Sequence, residues 1–153
     1  MANFSELLNK PAEAVEKPKP KPVGTYQAVI QGPAVDKTVK VQGEDRGLLE
    51  FKLKMMAAFE GVDADQLAEV GEVSSWPPLT YSIWYDTPEG EFQLRQFLEV
   101  TLAIDSSGSK TFGELLAQVP GKQLLATLKH RPFVDKNTGQ PEIATDIGSV
   151  AKI

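Results

Sequence analysis

With 153 residues, 41% of them apolar, the chain is long enough for one domain with an ordinary hydrophobic core. It has no cysteine and a single histidine, His130, which excludes a disulfide framework, a thiolate metal site and a histidine-rich one. The net charge of −5 speaks against nucleic acid at first sight, because phosphate binding needs Lys and Arg; yet residues 60–105 hold ten acids against one base, Arg95, which leaves +4 for the rest. An acidic side and a mildly basic side follow if the fold keeps these segments apart.

The chain opens on Phe4-Ser5-Glu6-Leu7-Leu8, enough for two helical turns, before Pro11 and the alternating run Lys17-Pro18-Lys19-Pro20-Lys21-Pro22 stop any helix. Alternating proline favours extended polyproline II with the lysines in solvent, so residues 1–22 are expected to form a flexible arm: a spacer, a docking arm or a phosphate-contacting tail. Neither a basic start with an apolar signal run nor a stretch of about 18 apolar residues occurs, and a soluble cytoplasmic protein without a membrane partner is expected. Residues 23–153 form the domain.

Gly24 to Gln31 alternates as a first strand, with Tyr26, Ala28 and Ile30 on one face. A second strand runs from about Leu48 to Ala57, with Leu49, Phe51, Leu53 and Met55 toward the core and Lys52 and Lys54 toward water. The roughly 15 residues between them read as a loop with room for a short strand at Thr38 to Gln42, and loops of that length are uncommon without a function. Asp63 to Gly71 has an acidic cap and a terminal glycine, the marks of a short helix. Trp76-Pro77-Pro78 reads as an extended lead into a third strand, Leu79 to Tyr85, whose Tyr81, Ile83 and Tyr85 alternate with Trp84. Thr87-Pro88-Glu89 starts a long amphipathic helix carrying Leu94, Phe97, Leu98 and Leu102, and Thr111 to Val119 forms a second helix. Lys122 to Arg131 is the fourth strand, and beyond the turn Asp135 to Gly139 the chain returns from Glu142 to about Val150 as the fifth. This order, mainly β with a helix between the third and fourth strands, predicts the five-stranded Greek-key barrel called the OB-fold.

Catalysis has little to work with. His130 stands at a strand end between Lys129 and Arg131, the carboxylates Asp63/Asp65 and Glu89/Glu91 sit at helix starts where the macrodipole accounts for them, and no phosphate-cradling glycine motif occurs. No enzyme, metal or cofactor is expected. Single-strand binding asks instead for a mildly basic groove with a few aromatic faces. In an OB-fold that groove crosses strands 2 and 3, flanked by the 1–2 and 4–5 loops. The residues at those places are Lys52 and Lys54 on strand 2, Lys37, Lys40 and Arg46 in the 1–2 loop, and Lys129, Arg131, Phe133 and Lys136 in the last hairpin. Trp84 on strand 3 is either a stacking platform or part of the core beneath the helix.

The phrases Asn3 to Pro11, Pro22-Val23-Gly24-Thr25-Tyr26, Phe51-Lys52-Leu53-Lys54, Phe97-Leu98 and Pro120-Gly121-Lys122-Gln123 leading to Lys129-His130-Arg131-Pro132 together resemble a family of small phage-encoded proteins of replication and recombination modules. Some of its members are regarded as OB-fold single-stranded DNA-binding proteins. The resemblance implies single-stranded DNA as ligand, replication or recombination proteins as partners, and the cytoplasm of a bacterial host, and it is compatible with a homo-oligomer. The ending Ser149 to Ile153 lacks the acidic tail of better-known single-strand binders, a role the acidic segment Glu60 to Glu72 would have to fill. The alternative is a protein-interaction or assembly module built on the same barrel.

Overall fold

The computed structural model describes residues 4–9, 11–12, 19–102 and 110–153; Lys17 and Pro18 of the expected polyproline run lie outside the described residues. The strands are β1 (Gly24–Ile30), β2 (Val35–Val41), β3 (Glu44–Glu60), β4 (Leu79–Trp84), β5 (Gln123–Val134) and β6 (Pro141–Ala151). They form one antiparallel sheet in the order β2-β3-β1-β5-β6, with β4 on the other edge of β3. The period-two pattern decides which face is core: Tyr26, Ala28 and Ile30 of β1, Leu49, Phe51, Leu53 and Met55 of β3, and Leu124, Ala126 and Leu128 of β5 are buried together.

Two features differ from the expected five-stranded barrel. The segment read as a loop is a full strand: β2 pairs with β3 from Val35↔Glu50 to Val41↔Glu44, making six strands. Its turn places Gln42 at φ 52° and Gly43 at φ 83°, the two positive values that a tight hairpin matching the strand twist requires. The second difference is at the seam. β4 and β6 come into contact, yet among the described residues no ladder joins them, and a cleft of about 300 Å3 lined by Tyr81, Gln93, Phe97 and Ser149 lies there. The sheet therefore curls without closing.

Helix α1 (Phe4–Asn9) precedes the sheet, α2 (Ala64–Val70) and a 3-10 turn at Val73–Ser75 lie between β3 and β4, and α3 (Pro88–Leu102) and α4 (Phe112–Leu116) lie between β4 and β5. The acidic cap expected at Asp63 is in place, its carboxylate accepting from the Gln66 N–H. Helix α3 plugs the curl: Leu94, Phe97 and Leu98 are buried, and the Phe97 ring lies 4.4 Å from that of Phe51 and 5.2 Å from that of Tyr81. Burying side chains of this size contributes roughly 1.5–3 kcal/mol each. The Thr87 hydroxyl caps α3 by accepting from the Gly90 N–H at 3.0 Å, and Thr111 caps α4, which is shorter than the helix expected over 111–119.

The end of the arm rests on the domain. Pro22 is fully buried, and its carbonyl accepts a 2.8 Å bond from the Tyr26 hydroxyl, whose pKa burial pushes up to about 12. The Lys21 N–H donates to the Thr145 hydroxyl at 3.2 Å, its carbonyl lies 2.7 Å from His130 Nε2, and its ammonium stands 5.3 Å over the Trp76 ring. Lys19 pairs with Glu69 at 3.2 Å. Trp76 itself, expected in an extended lead, belongs to the core: its ring packs 5.3 Å from Tyr26 and its indole N–H donates to the Val70 carbonyl at 3.3 Å. Among the described residues no helix is long and apolar enough to cross a membrane.

Candidate nucleic-acid interface

Strand alternation carries Trp84, Ser82 and Thr80 of β4 to the outer face of the sheet, where they stand opposite Leu48, Glu50 and Lys52 of β3. Trp84 is 36% exposed, so it is not part of the core under α3. The Arg46 guanidinium stacks over its ring at 5.0 Å and is gripped from the side by Asp86, with Nε to Oδ2 at 2.6 Å and a second bond at 3.1 Å. Asp86 also accepts from the Gly47 N–H at 3.2 Å. The hydrogen bond to Asp86 raises the pKa of Arg46, and the same bond holds the Asp86 carboxyl below its usual value. This pair therefore stabilises the fold above the ordinary carboxylate pKa, and that contribution is lost as pH falls through the lowered one.

The remaining candidates fall into three places. Lys37 stands opposite Leu48 on the same outer face as Arg46 and pairs with Glu50 at 2.5 Å, whereas Lys40, opposite Asp45, projects from the other face of the ribbon. Lys52 is exposed in the middle of the β3–β4 surface, and the Lys54 ammonium donates to the Trp76 carbonyl. Lys129, Arg131 and Phe133 alternate along one face of β5 in the last hairpin. Arg131 pairs with Asp146 at 2.7 Å and lies 5.6 Å over the Phe133 ring, while Lys136 occupies the turn. Lys40, Lys52, Lys129 and Lys136 carry no ion pair among the described residues.

The sheet register relates these groups. Leu53 of β3 stands at the Ile30 end of β1, and Arg46 lies beyond it; Leu128 of β5 stands at the Gly24 end, and Arg131 lies beyond that. The Arg46–Trp84 group and the Arg131–Phe133 group thus lie toward opposite ends of β1, with Lys52 and Lys54 on the strand between. Each group repeats one arrangement, a guanidinium over an aromatic ring with a carboxylate at its side. Sequence reasoning named the cations and the rings but missed Glu50, Asp86 and Asp146. Arg46 and Asp86 are 40 residues apart in the chain and only the β3–β4 pairing joins them.

Those carboxylates occupy the donors that an anionic ligand of this face would need. If this face carries single-stranded nucleic acid, Asp86→Asn, which keeps an acceptor for the Gly47 N–H while freeing the charge of Arg46, is expected to tighten binding to an oligo-dT about two- to fivefold at low salt and to steepen its salt dependence. A filter-binding series across salt concentrations measures both; unchanged or weaker binding would place the phosphates away from Arg46.

No family model matches the chain, and no curated protein matches it. Among solved structures it is similar to yeast RPA bound to single-stranded DNA, at 10% identity and a TM-score of 0.37, over 93% of this chain and 83% of that one. A likeness at that level carries no argument for function.

Proposed function

We propose that this protein is a non-enzymatic binder of single-stranded DNA with little sequence preference, built on an OB-like, partly open barrel. The observation that carries the proposal is Trp84, an exposed ring on the outer face of β4, capped by the Arg46 guanidinium and followed along the sheet by Lys52. A base stacks on such a ring whatever its identity, and the cations follow the backbone. The ribbons at either end of β1 flank the track, as the loops of an OB-fold flank its groove. On the family resemblance, the setting is phage DNA replication or recombination in a bacterial cytoplasm, with proteins of those processes as partners.

The test is a tryptophan-fluorescence titration with oligo-dT at low salt. Stacking on Trp84 is expected to quench emission, and affinity is expected to fall steeply as salt is added. No binding at low salt would refute the proposal, and equal affinity for duplex DNA would refute the single-strand preference. A protein-interaction role for the same barrel is the second reading, favoured by the apolar residues exposed on the β5–β6 hairpin, Val134 and Ile143.

A further inference from the structure

The inward face of the sheet continues beyond the barrel. Past the buried Leu128, β5 and β6 run on as a two-stranded ribbon whose successive pairs on that face are His130↔Thr145, Pro132↔Ile143 and Val134↔Pro141. Lys21 covers the first pair. The next two are apolar and uncovered, with Ile143 52% and Val134 64% exposed. An isolated two-stranded ribbon is marginal in water without something against its apolar face.

A second element of the chain has the matching need. Helix α1 is six residues long, and none of its residues is buried. A helix this short does not hold by itself. Phe4, Leu7 and Leu8 recur at the spacing that puts them on one side, and they are 70%, 59% and 68% exposed.

We propose that α1 of a second copy of this chain docks on the Pro132–Val134–Ile143 face of the ribbon, so that two copies exchange their N-terminal helices. The chain between Asn9 and Lys19 spans up to about 33 Å, which gives the helix reach beyond its own domain. Within a single copy both faces stand open, and a reciprocal exchange covers both at once in a closed two-fold pair. The tether is already continuous with the ribbon, because Lys21 is bonded at its base through His130 and Thr145. The outer face of the same ribbon, with Lys129, Arg131 and Phe133, is left clear, so the exchange stands whether or not that face binds DNA.

The absence of cysteine makes the test direct. One preparation carries Leu8→Cys and another Ile143→Cys, and the two are mixed without DNA under mild oxidation. A disulfide-linked heterodimer is expected, at least tenfold more abundant than with Ala144→Cys, which projects from the opposite face of the ribbon. No excess over that control would overturn the proposal. So would a chain carrying both Leu8→Cys and Ile143→Cys that closes only on itself at monomer mass, since the helix would then dock in its own copy. In sedimentation equilibrium the unsubstituted chain is expected to dimerise, and Leu8→Glu to weaken the dimer at least tenfold. A monomer at every concentration would equally overturn the proposal.

Discussion

Replacing Gly90 by alanine is expected to destabilise the protein by about 3 kcal/mol, at the upper end of ordinary overpacking, and to lower Tm by roughly 10 °C. Intrinsic preference points the other way, since alanine in a helix is favoured over glycine by ~1 kcal/mol. Packing decides the sign. Gly90 is buried in the first turns of α3, and a Cβ there would stand 1.4 Å from the Trp84 carbonyl oxygen and 2.6 Å from its carbonyl carbon. Both are backbone atoms at the end of β4, so no side chain can swing aside; the helix or the strand must move. Urea denaturation of the variant measures the loss. A neutral or stabilising outcome would show that α3 does not press on the end of β4. Because the carbonyl belongs to Trp84, the shift should also disturb the aromatic platform, whereas an alanine at Gly113, where the nearest atom to a Cβ is 3.8 Å away, should do neither.

Trp84→Ala is expected to weaken oligo-dT binding by about 1–3 kcal/mol, the usual worth of one base stacked on an aromatic side chain, or roughly 5- to 150-fold. The loss should be similar for every base composition, because the ring offers a face and reads no edge. Trp84→Phe should recover much of the affinity. Fold stability should change little in the alanine variant, since Trp84 stands outside the core and its main neighbour is the Arg46 guanidinium. Fluorescence anisotropy with labelled oligonucleotides separates the two effects when thermal melts are run alongside. Undiminished affinity would move the DNA path off the β3–β4 face and toward Phe133.

Most of the core was legible in the sequence because burial on one side imprints a period of two. Tyr26-Ala28-Ile30 and Leu49-Phe51-Leu53-Met55 announce their faces, and the cap at Asp63 and Pro88 at the start of α3 announce two helices. Strand β2 left no such imprint: its residues are exposed on both faces but for the partly buried Val39, so neither face is consistently apolar. Its turn, Gln42-Gly43, lacks the asparagine or aspartate that usually marks a tight hairpin. Trp76 stands in the expected extended lead into β4, but its burial is invisible in the sequence because only tertiary packing, against Tyr26 and the end of α2, draws the ring inward. For Trp84, alternation told which face it takes but not what lies above that face. The cations of the candidate interface were nameable one by one, while their carboxylate partners depended on strand pairing across long separations.

Strand β3 is 17 residues long and serves three neighbours, β1 along its last part, β4 in the middle and β2 along its first. Its middle, from Leu48 to Leu53, is flanked on both edges, while its first four residues, Glu44 to Gly47, have only β2 as a ladder partner. The strand is thus a cantilever, rooted in the core at Phe51 and free at the Gln42–Gly43 tip. Deflection of a cantilever grows with distance from its root, so amide exchange should quicken steadily from Leu49 outward. Arg46 sits on the compliant part, tied to the end of β4 by its grip on Asp86, by its contact with the Trp84 ring, and by the bonds that neighbouring Gly47 makes to Tyr85 and Asp86. A ligand that took the guanidinium from that carboxylate would loosen one tie among several, because the Tyr85 N–H still meets the Gly47 carbonyl at 3.2 Å and the Tyr85 hydroxyl still donates to Asp36 at 2.6 Å.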